Sequence, residues 1–234
     1  MEVNPIPGLE HLPWAEVWFH AVDEQRWREA SRRAAAIGKT GLEVWTTEGT
    51  PDVAAFFLPR GYEEVRRYVL SELDVGAATE PEPPAFPLVT LRERPDLARA
   101  LYEIALESYA DQPGRAGTDI GSFDEWRAWG LDPHEPDAFF IAVEGDRVLG
   151  YGYLELGGDV AKNGFMAVAR PARGRGVAGA VKRAQIAWAK AHGIPRLRTA
   201  TEVRLTGMLA LNRRHGYRPY TTEIVLRGPL AALD

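Results

Sequence analysis

The chain has 234 residues, of which 45% are hydrophobic, and its 28 Lys and Arg against 33 Asp and Glu give a formal net charge of −5 at pH 7. These values suit one large or two modest domains, and the negative charge argues against a general nucleic-acid-binding protein. The chain has no cysteine, which excludes disulfides and a cysteine nucleophile, and the lack of a signal peptide or an apolar run of ~18 residues predicts a cytoplasmic protein without a membrane span.

A proline-rich segment divides the chain into two parts. Residues 76–87 contain four prolines and few residues to bury, so we expect an extended, exposed linker. This linker predicts a first module over residues 1–75 and a second domain over residues 88–234.

The second domain shows a succession of strand and helix patterns. The predicted elements are a strand at 86–91, helices at 96–108 and 124–130, a strand at 139–143, a turn at 144–147, and strands at 148–156 and 160–168. The glycine-rich segment 110–123, between the two helices, is either a flexible lid or a plain surface loop.

The strand that ends at Val168 runs into a basic turn with two glycines, and this turn opens directly into a helix. Glycine lets the backbone approach a ligand closely, and the first N–H groups of a helix have no partner within the helix. The helix dipole and the arginines add positive charge at the same place. The turn Arg173–Ala178 therefore predicts a phosphate or pyrophosphate site.

The helix after the turn carries an apolar stripe of helical period from Val177 to Ala191, and it stops at Gly193. Lys182 and Arg183 fall outside this stripe. We therefore expect both on a solvated helix face, from which they could also reach a bound phosphate.

Two other phosphate motifs fit less well. A Walker loop requires Lys followed by Ser or Thr after the glycines, and this chain has neither there. A dinucleotide fingerprint is met formally by Gly174, Gly176 and Gly179, but Glu202 is a poor match for its acidic residue.

Two segments resemble motifs of the GCN5-related N-acetyltransferase (GNAT) superfamily. The turn Arg173–Ala178 is similar to the family's Q/R-x-x-G-x-G/A loop, and residues 199–217 are similar to its strand, helix and closing Gly-Phe. The resemblance covers roughly residues 86–228. It implies an α/β (α+β) fold in which helices flank a mixed, mostly antiparallel sheet.

The resemblance also implies acetyl-CoA (coenzyme A) as the acyl donor. In the family, loop amides hold the pyrophosphate, the preceding strand pairs with the pantetheine arm like an added strand, and amides of that strand donate to the thioester carbonyl. The residues that this places against the cofactor are Met166, Ala167, Val168, Arg173, Gly174, Arg175, Gly176, Val177, Ala178 and Asn212.

Three positions depart from the family pattern. Thr201 and Leu205 stand where the family has Asn, and Asn212 stands where many members have the Tyr that protonates the departing thiolate. Asn cannot act as an acid. The thiolate would then be protonated by water or by another group, or the chemistry would be impaired.

Acyl transfer to an amine also requires a group that accepts a proton from the ammonium. Glu155 and Glu202 are the candidates for this base, although each is also explained as a solvated acid at a strand end. Tyr151 and Tyr153 alternate with Glu155, so they either line the acceptor pocket or pack in the core. The five histidines share no ligand spacing, and we expect no metal site.

A repeat relates the first module to the second domain. Residues 28–62 and 183–217 agree at nine positions without a gap, at an offset of 155. The pairs at turns and strand starts are Gly38 and Gly193, Gly61 and Gly216, and Tyr62 and Tyr217. We interpret the first module as a partial, degenerate GNAT-like copy, since its counterpart of the loop, residues 18–23, has no glycine. Chance similarity of two helix–strand units is the alternative.

These features predict a tandem N-acetyltransferase that transfers an acetyl or small acyl group to a small-molecule or peptide amine. The alternative is a non-catalytic module that binds or senses acyl-CoA. We expect a monomer or homodimer.

Overall fold

The structure is a computed structural model that describes residues 1–6, 9–78, 86–112 and 119–232. The chain forms two compact units, Met1–Leu70 with Tyr220–Asp234, and Ser71–Pro219. The strands are β1 (Val3–Pro5), β2 (Trp14–Trp18), β3 (Gly41–Thr47), β4 (Glu63–Asp74), β5 (Leu88–Thr90), β6 (Phe139–Glu144), β7 (Arg147–Gly157), β8 (Val160–Val168), β9 (Arg196–Glu202) and β10 (Arg218–Pro229). The helices are α1 (Glu24–Ala36), α2 (Pro51–Phe57), α3 (Ala98–Ala110), α4 (Phe123–Gly130), α5 (Val177–Ala191) and α6 (Thr206–Arg214).

The first unit is a sheet with the strand order β1-β2-β3-β10-β4. Strands β2 and β3 are parallel and are joined by α1, whereas β10 pairs antiparallel with β3. The helix α1 begins at Asp23, whose side chain accepts a hydrogen bond from the N–H of Arg26 at 2.8 Å. Val44, Phe19 and Phe57 are buried in the core that the helices and strands share.

A buried ionic cluster lies in the sheet of the first unit. The carboxylate of Glu43, which has no exposed surface, accepts hydrogen bonds from Arg66 and from Arg227. Arg66 is itself buried and Arg227 is mostly so. Because a charge removed from water is tolerated only when it is paired, the three groups depend on one another.

The second unit has the strand order β9-β8-β7-β6-β5, and the last residues of β4 lie beside β9. Neighbouring strands from β5 to β8 are antiparallel, and β8 and β9 are parallel. Helices α3 and α5 pack on this sheet. The predicted fold class, a mixed and mostly antiparallel sheet flanked by helices, is confirmed.

The elements of the chain recur at the spacing of the sequence repeat. Strand β3 begins and ends at residues 41 and 47, and β9 at 196 and 202, while β4 spans 63–74 and β10 spans 218–229. Gly61 and Gly216 both have positive φ, of 80° and 86°, and each precedes a buried tyrosine. The two helix–strand segments are therefore alike in structure as well as in sequence.

The division of the chain differs from the predicted boundaries in two respects. Residues 71–75, which the sequence places in the first module, belong to the second unit. The sequence places residues 88–234 in one domain, whereas Tyr220–Asp234 belongs to the first unit. The reason is that Glu223–Pro229 pairs with β3, and local sequence patterns carry no signal for such a distant partner. Residues 79–85 of the predicted linker and residues 113–118 of the glycine-rich segment lie outside the described residues. No helix in the described ranges is long and apolar enough to cross a membrane.

We predict that Glu43→Ala lowers the free energy of unfolding by about 3–5 kcal/mol, because two arginines would lose their buried partner. The matched control is Glu48→Ala, which breaks the exposed ion pair with Arg67 and should cost no more than about 1 kcal/mol. Urea denaturation of both variants tests this. Equal costs would show that the cluster is not what holds this sheet together.

Candidate functional site

The turn between β8 and α5 forms an open backbone cradle. Gly174 and Gly176 have φ of 76° and 88°, a region that other residues occupy only under strain. A Cβ atom at either position would meet no atom of the described residues within 4 Å, so this part of the chain leaves the space in front of the turn open. Gly176 is the N-cap of α5, and no side chain caps the helix.

The first backbone N–H groups of α5 have no hydrogen-bond acceptor within the helix and are available to a ligand. The N–H of Ala180 is bonded to the carbonyl of Gly176, and the N–H groups before it, from Val177 to Gly179, have no carbonyl within the helix to reach. An anion in the cradle would meet these donors and the positive end of the helix dipole. The geometry therefore fits the predicted phosphate site.

The arginines of the turn form ion pairs with acidic side chains. Arg170 and Arg173 both contact Asp111, the residue that ends α3, at 2.8 and 2.7 Å. Arg175 contacts Glu144 at 2.6 Å. The hydrogen bonds from Arg170 and Arg173 lower the pKa of Asp111 to about 2, so its carboxylate is charged at any assay pH. The expectation that the arginines add positive charge at this place needs a correction, because the carboxylates of Asp111 and Glu144 offset part of that charge.

The strand before the turn separates from its neighbour. The pairing of β8 with β9 covers only Val160–Lys162 against Arg196–Arg198. Beyond this point β8 continues to pair with β7 but not with β9, so residues 166–168 have one edge without a strand partner among the described residues. Ala169 donates its N–H to Leu149 on the β7 side at 2.9 Å. Because N–H directions alternate along a strand, the N–H of Val168 is directed to the free edge.

A β-bulge lies at the start of this opening. Met166 faces Gly152 and Asn163 faces Leu154, so two residues of β8, 164 and 165, oppose one residue of β7. Gly164 is required there, because a Cβ would lie 2.0 Å from a ring carbon of Tyr153. The bulge shifts the register of β8 against β7 immediately before Met166, the first residue of the free edge.

At the point where β8 leaves β9, side-chain hydrogen bonds replace the backbone hydrogen bonds of the sheet. Asn163 accepts a hydrogen bond from the hydroxyl of Tyr217 at 2.6 Å and donates to Gln185 at 2.9 Å. Gln185 in turn donates to the carbonyl oxygen of Tyr153 at 3.0 Å. Sequence reasoning missed this chain of contacts. Its only sequence signal is that Gln185 lies four residues after Val181, on the apolar stripe.

The structure places Lys182 in the interior, so the prediction of a solvated position is wrong. Its exposed fraction is 1%, and its ammonium lies 4.7 Å from the ring centroid of Tyr217. Burial lowers the pKa of Lys182 to about 7. The buried face of α5 includes positions on both sides of the apolar stripe, and for this reason the stripe alone underestimates what is buried.

A cleft of about 280 Å³ lies beside the cradle, between α5 and α6. It is lined by Gly176, Gly179, Arg183, Leu211, Arg214 and His215. The Nε atom of Arg183 is buried and has no hydrogen-bond partner in the described part of the chain. Burial lowers the pKa of His215 below its usual value, which favours the neutral ring. The arginines that line this cleft therefore place positive charge next to the cradle.

The two candidate bases lie on different strands and in different surroundings. Glu155 on β7 is exposed, and its register partner on β8 is Lys162. Glu202 at the end of β9 is 5% exposed, and its oxygens accept from the backbone N–H and the Nε of Arg204, at 2.8 and 2.6 Å. Of these two carboxylates, only Glu155 is exposed.

The tyrosines of β7 belong to the core. Tyr151 and Tyr153 are 1% and 8% exposed, and both stack on Phe139. Tyr153 also stacks on His134, with ring centroids 3.8 Å apart. Of the two alternatives for these tyrosines, core packing is the one that the structure shows.

Asn212 is buried on α6 and does not face an open surface. Its Nδ2 donates to the hydroxyl of Thr201 at 2.9 Å, and its Oδ1 is buried without a partner among the residues described. Two of the positions that depart from the family pattern are therefore bonded to each other. The third, Leu205, is 38% exposed just before α6.

We predict that Gly176→Ala weakens the binding of CoA by roughly ten-fold or more, the equivalent of about 1.4 kcal/mol, and that Gly176→Val abolishes it. The added atoms would stand where the pyrophosphate must approach the backbone. The matched control is Gly193→Ala at the other end of α5, which also has positive φ (68°) and empty space around its Cβ. Calorimetry on folded variants decides: equal affinities in the two alanine variants would reject the cradle as the binding site.

We predict that Asp111→Asn tightens CoA binding by roughly two- to five-fold, the range expected for exposed ion pairs. The change releases Arg170 and Arg173 from a competing carboxylate. Asp132→Asn is the control, because Asp132 pairs with Arg127 away from the turn. Weaker or unchanged binding in Asp111→Asn would mean that the ion pairs position the turn rather than compete with the ligand.

Comparison with known structures shows the same architecture. A GCN5-related N-acetyltransferase from Sphaerobacter thermophilus is 18% identical, with a TM-score of 0.74, over 100% of this chain and 77% of the other. A tandem GNAT protein from the clavulanic acid biosynthesis pathway is 19% identical, with a TM-score of 0.69, over 95% and 77%. A GCN5-related N-acetyltransferase from Kribbella flavida is 20% identical, with a TM-score of 0.59, over 94% and 82%. At these identities the likeness shows the fold.

The family itself is shown by the sequence. No curated protein matches the chain. The model of the acetyltransferase (GNAT) family matches residues 98–217, about half of the chain, and this range contains the cradle, the opening of β8 and the cleft. The protein is a member of the GNAT acetyltransferase family.

Proposed function

We propose that this protein is an N-acetyltransferase that transfers an acetyl or small acyl group from CoA to a small-molecule or peptide amine. The observation that carries the proposal is the glycine cradle at the end of a strand whose free edge has lost its neighbour. A pyrophosphate and an extended arm need these two features side by side. Membership of the family supports the same reaction class.

The residues of the second unit fit an acyl-CoA. The amides from Arg173 to Ala178 would hold the pyrophosphate, and the free edge of Met166–Val168 would pair with the pantetheine arm. Arg183 and Arg214 in the cleft would meet the remaining phosphate charge. When bound, acyl-CoA supplies an acyl carbon that is activated for attack by an amine.

The remaining tasks fall to groups around the opening. The N–H of Met166 points to the same free edge as that of Val168, because N–H directions repeat at every second residue, and it lies farther from the cradle, toward the thioester end of the arm. This N–H can stabilise the negative charge that develops on the carbonyl oxygen. We assign the base role to Glu155, through a water molecule, because both oxygens of Glu202 are occupied by Arg204. Glu202 is the second candidate.

We further propose that each chain has one acyl-CoA site and that the first module is a degenerate copy. At the start of α1 the carboxylate of Asp23 caps the helix and occupies the place of an anion. At the start of α5 the cap is Gly176, which has no side chain. The fold relation to a tandem GNAT protein is consistent with duplication. A cytoplasmic location and a monomeric or homodimeric state stay predictions.

A non-catalytic acyl-CoA-binding module is the second candidate. The observation that favours it is Asn212, which is buried, bonded to Thr201 and unable to protonate a thiolate. An enzyme and a sensor share the same cofactor site, so binding alone does not separate them.

The deciding experiment incubates the protein with acetyl-CoA and a panel of primary amines, diamines and peptides. Free thiol is measured, and products are identified by mass spectrometry. Thiol release that requires an amine and yields its acetylated form supports the enzyme, and Glu155→Gln should slow it by roughly 10²-fold or more. Tight binding without turnover on any amine would favour the binding module.

We predict that Asp23→Ala destabilises the protein by about 1 kcal/mol through loss of the helix cap. The affinity for CoA and the number of sites should stay the same, because the first module takes no part in binding. Thermal unfolding and calorimetry measure the two effects. A gain of a second CoA site would show that only the Asp23 carboxylate blocks the first module.

A further inference from the structure

Three aromatic side chains form a partly exposed cluster at the bulge of β8. Phe165 is one of the two residues that form the bulge, and its ring stacks on that of Tyr109 of α3, with ring centroids 4.6 Å apart. Trp129 of α4 meets the ring of Tyr109 edge-on, with centroids 5.8 Å apart. These three side chains, which we call the aromatic cluster, pack on the core of the second unit and keep part of their surface exposed.

The aromatic cluster lies beside the position proposed for the thioester. Phe165 directly precedes Met166, whose N–H we assign to the thioester carbonyl. Tyr151, whose ring centroid lies 6.2 Å from that of Phe165, is buried. The aromatic core of the second unit is therefore continued to the surface at the start of the free edge.

The aromatic cluster and α5 lie on opposite faces of the sheet. A Cβ at Gly152 of β7 would lie 3.1 Å from Val181 of α5 and 3.4 Å from the side chain of Met166. Tyr151, the preceding residue of β7, points to the opposite face, which is the face of Phe165. Val181 is fully buried, so the α5 face is closed at this point. An amine that attacks the acyl carbon therefore approaches from the face of the aromatic cluster.

The two acids at the end of α3 are bound to the phosphate turn. Glu107 accepts a hydrogen bond from the backbone N–H of Arg170 at 3.1 Å. Asp111 pairs with the guanidinium groups of Arg170 and Arg173. A polyamine would need a carboxylate for each further ammonium that it buries, and these two acids are directed to the arginine-rich turn instead.

The proposed base lies on the same face as the aromatic cluster. Glu155 follows Tyr153 by two residues on β7, and residues two apart on a strand point to the same face. Burial raises the pKa of Tyr153, and the charges of Tyr109 and Glu155 contribute in the same direction, which places these groups near one another. This face therefore offers a carboxylate for the reacting amine and an aromatic surface for the rest of the acceptor.

We propose that the aromatic cluster binds the acceptor and selects primary amines that are attached to an aromatic or similarly apolar body. The rings of Tyr109, Trp129 and Phe165 cover that body, and the amine nitrogen is directed to the acyl carbon beside Met166. Removal of apolar surface from water and ring–ring contacts stabilise this complex. This inference rests on the proposed function and deepens it, because it names the substrate class.

The first test uses the wild-type chain and compares three acceptors, 2-phenylethylamine, n-butylamine and 1,4-diaminobutane, by thiol release from acetyl-CoA. We expect kcat/KM for 2-phenylethylamine to exceed the other two values by roughly ten-fold or more, the range that apolar groups gain in a hydrophobic pocket. Equal values, or a preference for the diamine, would overturn this inference and leave the proposed function standing. Absence of turnover with every amine, or of CoA binding, would instead contradict the proposed function.

The second test measures binding without turnover. The protein is saturated with CoA, which carries no acyl group, and is titrated with 2-phenylethylamine in a calorimeter. Phe165→Leu should weaken the binding of this amine by roughly two- to ten-fold, the range of a lost ring–ring contact.

The matched control for the second test is Phe123→Leu on α4. Phe123 is also partly exposed, but its ring contacts Tyr102, which is two turns before Tyr109 on α3. This variant should bind the amine as the wild type does. Equal effects of the two substitutions, or no effect in a Phe165→Leu protein that still binds CoA, would overturn the assignment of the aromatic cluster.

Discussion

The central constraint on this molecule is the separation of β8 from β9 after Lys162. A strand inside a sheet normally satisfies its N–H and C=O groups on both edges, and leaving one edge unpaired has a cost. The second unit meets this cost locally. A bulge shifts the register, Gly164 admits the ring of Tyr153, and Asn163 joins Gln185 and Tyr217 by side-chain hydrogen bonds. The edge that remains is the surface that an extended ligand can complete.

The charges of the second unit are arranged around this edge. The protein is acidic overall, yet helix amides and arginines converge on the cradle. Asp111 and Glu144 form ion pairs with these arginines. The pairs hold the arginines in place when no ligand is bound. The first module shows the opposite arrangement, because Asp23 supplies its own anion to the helix N-terminus. The helix starts of the two related segments therefore differ in their N-cap residue, which carries a carboxylate in the first module and is a glycine in the second unit.

Local patterns were sufficient to predict the order of strands and helices in the second domain, the glycine turn and the repeat. These features depend on residues close in sequence, and the loop motif is short and specific. The pairing of β10 with β3 joins residues about 180 positions apart and could not be predicted from local patterns. Lys182 was misplaced for a related reason: helical periodicity shows which side of α5 is apolar but not how far the packing extends around it. The bonds of Asn163 and Glu202 depend on strand geometry that sequence spacing does not reveal.

All the functional proposals depend on the binding of acyl-CoA by the cradle of the second unit and not by the first unit. Calorimetric titration of the intact protein with acetyl-CoA and with CoA tests it directly. We expect micromolar affinity for both ligands at one site per chain. Two sites per chain would contradict the interpretation of the first module, and the absence of binding would contradict the assignment of the cradle.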